Sequence, residues 1–261
     1  MSRRIVAALL SALCMGPACS KKGDEVSVAP TSSGLTASAA NAVAPTWHYQ
    51  IDTKSETQVD LPGIKEHIKG STSEAAGTLD IVPGDLAQSR GVVRVDLSTF
   101  TTHTFGDESK DSTQTKHART WLEAVLDGKK NEPMRWAEFA LRSVDGLSAT
   151  DVRKVAPVKE GSEEVRIVTM TVHGELLVHG HSVPKQDRVE VVLYYPAGAS
   201  SESMPARIEV KSKEPMRVTL KDHDVSPRDP AGQLLAWTAS LVSKVAETAD
   251  VTVALTAAPS P

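Results

Sequence analysis

The stretch from Glu164 to Tyr195 constrains the fold more than any other part of this 261-residue chain. Apolar side chains occupy every second position along its first half, at Val168, Met170, Val172, Leu176 and Val178. The positions between them are mostly polar: Thr169, Thr171, His173, Glu175, His179 and His181. Because successive side chains of a β-strand point to opposite faces, this alternation predicts a strand with one buried and one wet face.

A second strand is predicted to return antiparallel to the first. Pro184-Lys185-Gln186-Asp187 interrupts the pattern, and apolar alternation resumes at Val189, Val191, Leu193 and Tyr195. We therefore expect the turn near Pro184, with His173 and His179 exposed. Gly174 falls on the apolar face in mid-strand, where a missing side chain usually marks a bend or a close backbone approach. A long, bent, one-sided hairpin is suited to the wall of a barrel.

The same alternation recurs after Pro45 and gives about nine candidate strands in all. Beyond the hairpin and a first strand at Trp47–Asp52, the apolar positions are Leu79 and Ile81; Val93, Val95 and Leu97; Phe139 and Leu141; Ile208 and Val210; Val218 and Leu220; and Val251, Val253 and Leu255. Short strands at this spacing, separated by turn-forming residues, predict a sandwich or a barrel.

Two segments change to helical spacing. Residues 114–127 carry apolar side chains on one side, and Gly128 follows as a candidate helix end. Asp229-Pro230 is suited to begin a second helix, with apolar residues recurring from 234 to 245. Residues 105–113, which precede the first helix, are predicted to form an exposed loop. We expect both helices to plug or flank one mouth of the barrel.

Several motifs in this order resemble the YceI-like family. Val172-His173-Gly174-Glu175-Leu176-Leu177-Val178-His179-Gly180 is similar to the family's v-x-G-x-L-x-(I/V)-x-G strand. The opening strand, residues 77–81 and 91–99, the helix at 115–122 and residues 251–255 resemble further family landmarks. The resemblance implies an all-β, antiparallel lipocalin-like β-barrel of about eight strands over residues 46–257, with one or two short helices. Residues 221–229 depart from the family pattern, since they contain no Phe.

The resemblance also implies a function, namely non-enzymatic binding or carriage of a long apolar lipid of the polyprenyl or isoprenoid-quinone type. No other cofactor would be required, because burying an apolar tail contributes roughly 0.8 kcal/mol per CH₂ without any catalytic group. The candidate cavity-lining residues are Val95, Leu97, Val172, Leu176, Val191 and Leu193. The alternative is an envelope structural or interaction lipoprotein whose barrel is filled by its own side chains, because an eight-stranded barrel can be filled or can hold one small ligand.

Other functional classes receive little support from the sequence. It contains no G-x-S-x-G elbow, P-loop, G-x-G-x-x-G, H-E-x-x-H or C-x-x-C motif, and we expect no catalytic residues. His179 and His181 have H-x-H spacing, but on a predicted wet face with no specified third ligand, so no metal site is predicted. A net charge of −4 without a basic patch gives no support for nucleic-acid binding.

The N-terminus has the layout of an export signal. Arg3 and Arg4 precede an apolar run over residues 5–13 that is too short to span a membrane comfortably. Ala18-Cys19-Ser20 resembles a lipobox, which predicts a signal peptide at 1–18 and lipid attachment at Cys19; a plain secretory signal is the alternative. Residues 19–45 would form a flexible tether, and 258–261 a short tail. The expected location is the cell envelope. There the barrel would be anchored by lipid, and it would face either the periplasm, at the outer membrane, or the cell surface.

Overall fold

The computed structural model describes residues 45–62, 67–235 and 247–261, and this part of the chain forms fifteen strands and one α-helix. The strands are β1 (Trp47–Ile51), β2 (Glu56–Pro62), β3 (His67–Thr72), β4 (Ala75–Ile81), β5 (Arg90–Asp96), β6 (Thr101–Thr102), β7 (Val125–Leu126), β8 (Lys129–Lys130), β9 (Trp136–Asp145), β10 (Val158–Glu160), β11 (Glu163–Val178), β12 (His181–Pro196), β13 (Arg207–Ser212), β14 (Met216–Thr219) and β15 (Thr248–Pro259). The helix is α1 (Glu108–Trp121).

Eight of these strands close into an antiparallel ring. Their order is β1-β4-β5-β9-β11-β12-β13-β15, and the end of β15 pairs back onto β1, with Tyr49 opposite Pro259. The first half of β15 pairs instead with β2 and β14, and β2 is followed outward by β3 and β6. The antiparallel barrel of about eight strands is therefore confirmed. At one end of the barrel, β15 pairs directly with β1 and closes the ring. At the other end, the additional strands β2, β3, β6 and β14 extend the sheet.

The central hairpin is present as β11 and β12, but its turn lies five residues before the predicted place. Val178 pairs with His181, so His179 and Gly180 form a two-residue turn. Their φ angles of 50° and 76° match the primed turns that suit the twist of a hairpin. Pro184 lies within β12, opposite Glu175. Pairing of β12 with β13 covers only Val189 to Tyr194, so this proline occupies an edge stretch, where strands tolerate it.

The inward face of β11 is the predicted one, and Gly174 makes the predicted close approach. A β-carbon at residue 174 would lie 2.5 Å from the carbonyl oxygen of Ala140 and 2.5 Å from the Phe139 ring. The prediction for His179 was wrong, because its side chain is only 5% exposed. Strand alternation stops at Val178, and the left-handed turn directs the ring of His179 back toward the backbone of His223.

The bounds of the first helix also differ from the prediction. Helix α1 begins at Glu108, and the carboxylate of Asp107 caps it by accepting from the N–H of Lys110 at 3.0 Å. Residues 108–113, predicted to be a loop, are helical; their charged and polar side chains hide the helical period. The helix ends at Trp121, and residues 125–130 form the β7–β8 hairpin around a left-handed Asp127 and Gly128.

The segment at Asp229-Pro230, which was predicted to begin a second helix, forms a turn instead. The carboxylate of Asp229 accepts hydrogen bonds from the N–H groups of Ala231 and Gln233, and Arg228 forms an isolated bridge with Leu234. The rest of that helix, residues 236–245, lies outside the described residues. The signal peptide, Cys19 and the tether up to residue 44 lie outside them as well. Within the described ranges, no helix has the length and apolarity needed to cross a membrane.

The hydrophobic core fills the end of the barrel that β1 closes. Tyr49 is fully buried there, and its hydroxyl donates to the carbonyl oxygen of Pro205 at 2.9 Å. Strands from all around the ring contribute to this cluster, which includes Trp47, Ile51, Leu79, Val144, Val168, Met170, Val191, Leu193, Tyr195 and Ile208. Side chains from opposite walls of the barrel therefore pack against one another at this end.

Candidate ligand-binding cavity

The other end of the barrel contains a cavity of about 950 Å³. Close-packed protein interiors contain few voids larger than a water molecule, whereas ligand pockets span roughly 300–1,000 Å³. The cavity is bordered by the barrel wall, by the added strands β2, β3 and β14, and by one side of α1. The barrel is thus divided into a filled end and a hollow end.

The strands contribute alternate residues to the cavity wall, as expected for side chains that share one face of a strand. Most of these side chains are aliphatic or aromatic: Val59, Leu61, Ile68, Val93, Val95, Ala137, Phe139, Leu176, Val178, Val218, Val251 and Val253. This part of the wall is therefore suited to an apolar ligand.

Phe139 and Gly174 mark the boundary between the two ends. Along β11, Val172 packs against the core and Leu176 lines the cavity, and Gly174 lies between them. Along β9, Leu141 packs against the core and Phe139 lines the cavity. Because Gly174 has no side chain, the ring of Phe139 can lie across its position. This ring forms part of the cavity floor.

Helix α1 borders the cavity along one face. Thr113, Lys116, His117, Thr120 and Trp121 line the cavity, and their spacing of three or four residues places them on one side of the helix. Several of them are also exposed to solvent, so the cavity reaches the surface beside the helix.

Hydrogen bonds to the loop that contains β6 hold α1 in this position. The guanidinium of Arg119 donates to the carbonyl oxygen of Phe100 at 2.7 Å. The N–H of Thr102 donates to the Thr115 hydroxyl at 2.8 Å. Phe100 itself lines the cavity, so these bonds connect the helix directly to the cavity wall.

A buried ion pair positions the residues that end β5. The carboxylate of Asp96 is fully buried, and it accepts from Arg135 at 2.6 Å and from the N–H and hydroxyl of Ser98. Burial alone would raise the pKa of Asp96, but the hydrogen bonds from Arg135 and Ser98 lower it to about 2. The ionised carboxylate thus caps the short turn at 97–99, from which Leu97 reaches the cavity.

Polar groups of the cavity lie mainly along α1 and in the segment that follows β14, where the charge of Arg228 is compensated. Arg228 borders the cavity, but its guanidinium lies 3.0 Å from the carboxylates of Glu123 and Asp224. The ring of His223 donates from Nδ1 to the carbonyl oxygen of His181 at 3.0 Å, and burial lowers the pKa of His223. A neutral ring and a paired guanidinium leave this end of the cavity compatible with an apolar chain.

The structure places three of the six candidate residues at the cavity and three elsewhere. Val95, Leu97 and Leu176 line it. Val191 and Leu193 are buried in the core at the filled end, and Val172 packs against that core. The five that lie on strands are on inward faces, as the alternation indicated, and Leu97 reaches the cavity from the turn after β5. Periodicity identifies the face of a strand, but it does not identify the height of a residue along the barrel.

A large part of the cavity wall was not predicted from the sequence. Thr57, Val59 and Leu61 alternate with the polar residues Glu56, Gln58 and Asp60, and this pattern could have identified β2. The contributions of α1 had a weaker signal, because only Trp121 among its lining residues is large and apolar. His223 and Arg228 carried no sequence signal, since irregular segments position them.

Fold and site together define a class of protein: an antiparallel, lipocalin-like β-barrel that is packed at one end and has an apolar cavity at the other. The sequence profile of the YceI-like domain family matches residues 49–257. The chain therefore belongs to the YceI-like domain family. A search of curated protein sequences found no match.

Two solved structures are similar to this chain over most of their length. The crystal structure of BcnA from Burkholderia cenocepacia is 14% identical with a TM-score of 0.48, and the match covers 79% of this chain and 98% of BcnA. A polyisoprenoid-binding domain from Saccharophagus degradans, implicated in plant cell wall breakdown, is 15% identical with a TM-score of 0.49. That match covers 81% of this chain and 98% of that domain.

Proposed function

We propose that this protein binds a long-chain apolar lipid, of the polyprenyl or isoprenoid-quinone type, in its barrel cavity without catalysing a reaction. The observation that carries the proposal is the cavity of about 950 Å³ with a predominantly aliphatic and aromatic wall. Each buried CH₂ contributes roughly 0.8 kcal/mol, so about ten methylenes would contribute roughly 8 kcal/mol before the entropic cost of association. Binding of this kind needs a cavity of sufficient volume that excludes water, and it needs no reactive side chain.

The arrangement of polar residues supports an amphipathic ligand. Exposed polar residues of α1, including Lys116 and His117, lie where the cavity reaches solvent, and the wall deeper in the barrel is apolar. A lipid could bury its tail against Val95, Leu176 and Phe139 and keep a polar end near the helix. The filled-barrel alternative describes the end that β1 closes, but it does not account for the hollow end.

The proposed place of action is the cell envelope. The support is the N-terminal sequence, in which a basic pair, an apolar run and Ala18-Cys19 are in the order of a lipoprotein signal. A lipid on Cys19 would attach the barrel to a membrane, so the protein could receive or release its ligand there. Such a location fits a carrier of molecules that are almost insoluble in water.

Replacing Leu176 with Trp provides the direct test. Leu176 is 7% exposed and points into the cavity, so a larger ring there should occupy the space of the ligand. Leu177→Trp is the matched control, because Leu177 is the next residue of β11 and points to the other face. Lipids extracted with organic solvent from equal amounts of each purified protein would be identified and quantified by mass spectrometry.

We expect stoichiometric apolar lipid in the wild type and in Leu177→Trp, and at least a tenfold loss in Leu176→Trp. Circular dichroism would verify that both variants retain the β-sheet signal. Negligible lipid in the wild type, even after incubation with polyprenyl lipids, would contradict the proposal. Equal lipid in both variants would mean that the ligand binds outside the cavity.

A further inference from the structure

Two segments that are distant in sequence meet at the turn of the central hairpin. His179 and His181 come from the turn and the start of β12, and Asp224 follows the short helical turn at Leu220–His223. One ligand-type atom from each of these three side chains lies within 4.8 Å of the other two. The two imidazole rings are stacked, with their centroids 6.3 Å apart and their planes 22° apart.

We propose that His179, His181 and Asp224 bind a divalent late transition-metal ion, of which Zn²⁺ fits the donor set best. Two imidazole nitrogens and one carboxylate are a common set of three protein ligands for zinc, with a fourth position left for water or another ligand. Imidazole also favours zinc, copper and nickel over calcium or magnesium, which prefer oxygen ligands.

The hydrogen bonding of His179 supports this proposal most strongly. Its Nδ1 lies 3.2 Å from the carbonyl oxygen of His223, which can only accept, so Nδ1 carries a proton. A metal-bound histidine is commonly oriented by the same type of bond from its other ring nitrogen. The remaining nitrogen, Nε2, is buried, and no described group is aligned to form a hydrogen bond with it. It lies 3.0 Å from the Glu123 carboxylate.

At this contact Nε2 faces a carboxylate that also contacts the Arg228 guanidinium at 3.0 Å. In a neutral ring with a proton on Nδ1, Nε2 presents a lone pair, and the Glu123 carboxylate presents only lone pairs. Two such groups at 3.0 Å repel each other unless a proton or a metal ion lies at Nε2. A bound ion would satisfy this nitrogen and would also draw in His181 and Asp224.

The surrounding charges are suited to a cation. Glu123 and Asp224 contribute two negative charges, and Arg228, which contacts both at 3.0 Å, contributes one positive charge. The local sum of these three groups is negative. The guanidinium lies against Oδ2 of Asp224, which leaves Oδ1 for coordination. This pairing is the kind of outer-shell contact that orients a ligating carboxylate.

The geometry needs only a small adjustment. Zinc–ligand bonds of 2.0–2.1 Å in a tetrahedron place ligand atoms about 3.4 Å apart. The side chains of His181 and Asp224 are exposed, while His179 is held by its buried ring. Metal binding would therefore close the cluster around His179 without moving the barrel.

Titration of the full-length protein with ZnCl₂ by isothermal calorimetry tests the proposal. The protein would carry no histidine tag, and any free cysteine would be alkylated, because both groups bind zinc on their own. The informative variants are His179→Asn and Asp224→Asn. Both residues have left-handed backbone, with φ of 50° and 51°, and Asn tolerates this conformation well. Each variant thus removes a ligand and retains the backbone.

His173→Gln is the matched control. His173 lies on the same hairpin and contacts Asp145 of β9 at 2.9 Å, but it is outside the cluster. We expect one zinc per chain in the wild type and in His173→Gln. His179→Asn and Asp224→Asn should each weaken binding by more than the ~10–100-fold that loss of an outer-shell partner costs. Zinc should raise the Tm of the wild type and of His173→Gln only. Absence of a one-to-one site, or equal affinity in all four proteins, would overturn the proposal.

Discussion

The ring of Phe139 lies against Gly174 of the neighbouring strand so closely that a β-carbon on residue 174 would come within 2.5 Å of the ring. This contact lies between the packed and the hollow ends of the barrel. The pairing of β9 with β11 shifts its register between His173 and Gly174, so the strands bend where the ring crosses. One missing side chain thus lets an aromatic ring separate a core from a cavity.

Gly174→Ala should be destabilising because the new methyl group would clash with both the Phe139 ring and the Ala140 carbonyl oxygen. We expect a loss of about 1–3 kcal/mol in the free energy of unfolding, measured by urea denaturation. Adding Phe139→Leu should recover part of this loss in a double-mutant cycle, since the smaller side chain can move away. Additive effects of the two substitutions would show that the ring and Gly174 are not coupled.

Two leucines allow the filled and hollow ends to be compared with the same chemical change. Leu193 is 1% exposed within the core, whereas Leu176 is 7% exposed and borders the cavity. Truncation to Ala removes the same atoms in both, but only at Leu193 does it remove packing on every side. We expect Leu193→Ala to cost about 4 kcal/mol and Leu176→Ala about 2 kcal/mol in chemical denaturation of the lipid-free protein. Equal costs would argue that the cavity closes in solution.

Stability should depend on the ionisation of Asp96. Its pKa is about 2 in the folded protein against about 3.9 in an unfolded chain, a difference worth roughly 2–3 kcal/mol. Because the folded pKa is the lower one, this contribution is fully present above pH 4 and is lost as the pH falls toward 2. Asp96→Asn should therefore be less stable than wild type at pH 6, and the gap should narrow by pH 2. A difference in stability between the two proteins that stays constant from pH 6 to pH 2 would contradict the low pKa of Asp96.

Lipid attachment at Cys19 stays a prediction, because that residue lies outside the described part of the chain. Intact mass of detergent-extracted protein should show a diacylglyceryl adduct on a chain that begins at Cys19. Cys19→Ala should stall processing or release the protein from the membrane fraction, whereas Cys14→Ala should leave both unchanged, since Leu13 poorly fits the small position before a modified cysteine. A water-soluble mature protein that begins at another residue would exclude lipid attachment.

Much of the barrel could be predicted because alternation is a local property. Val168, Met170 and Leu176 face inward as their parity indicates, and the mid-strand glycine marks a close approach. Local signals were weaker where segments rich in polar residues form a helix or a strand. The first turns of α1 have no apolar stripe, and β2 was overlooked although Val59 and Leu61 alternate with polar neighbours.

By itself, the sequence determined the fold class, the family resemblance and the inward face of the main strands, since each depends on the order of residues along one segment. Only the tertiary structure decided that Leu176 borders a cavity while Leu193 is packed, because height in a barrel depends on which strands pair and in which register. It also decided that His179 and Asp224 meet. Their sequence separation hides a contact that exists only when the hairpin turn and the loop after β14 pack together.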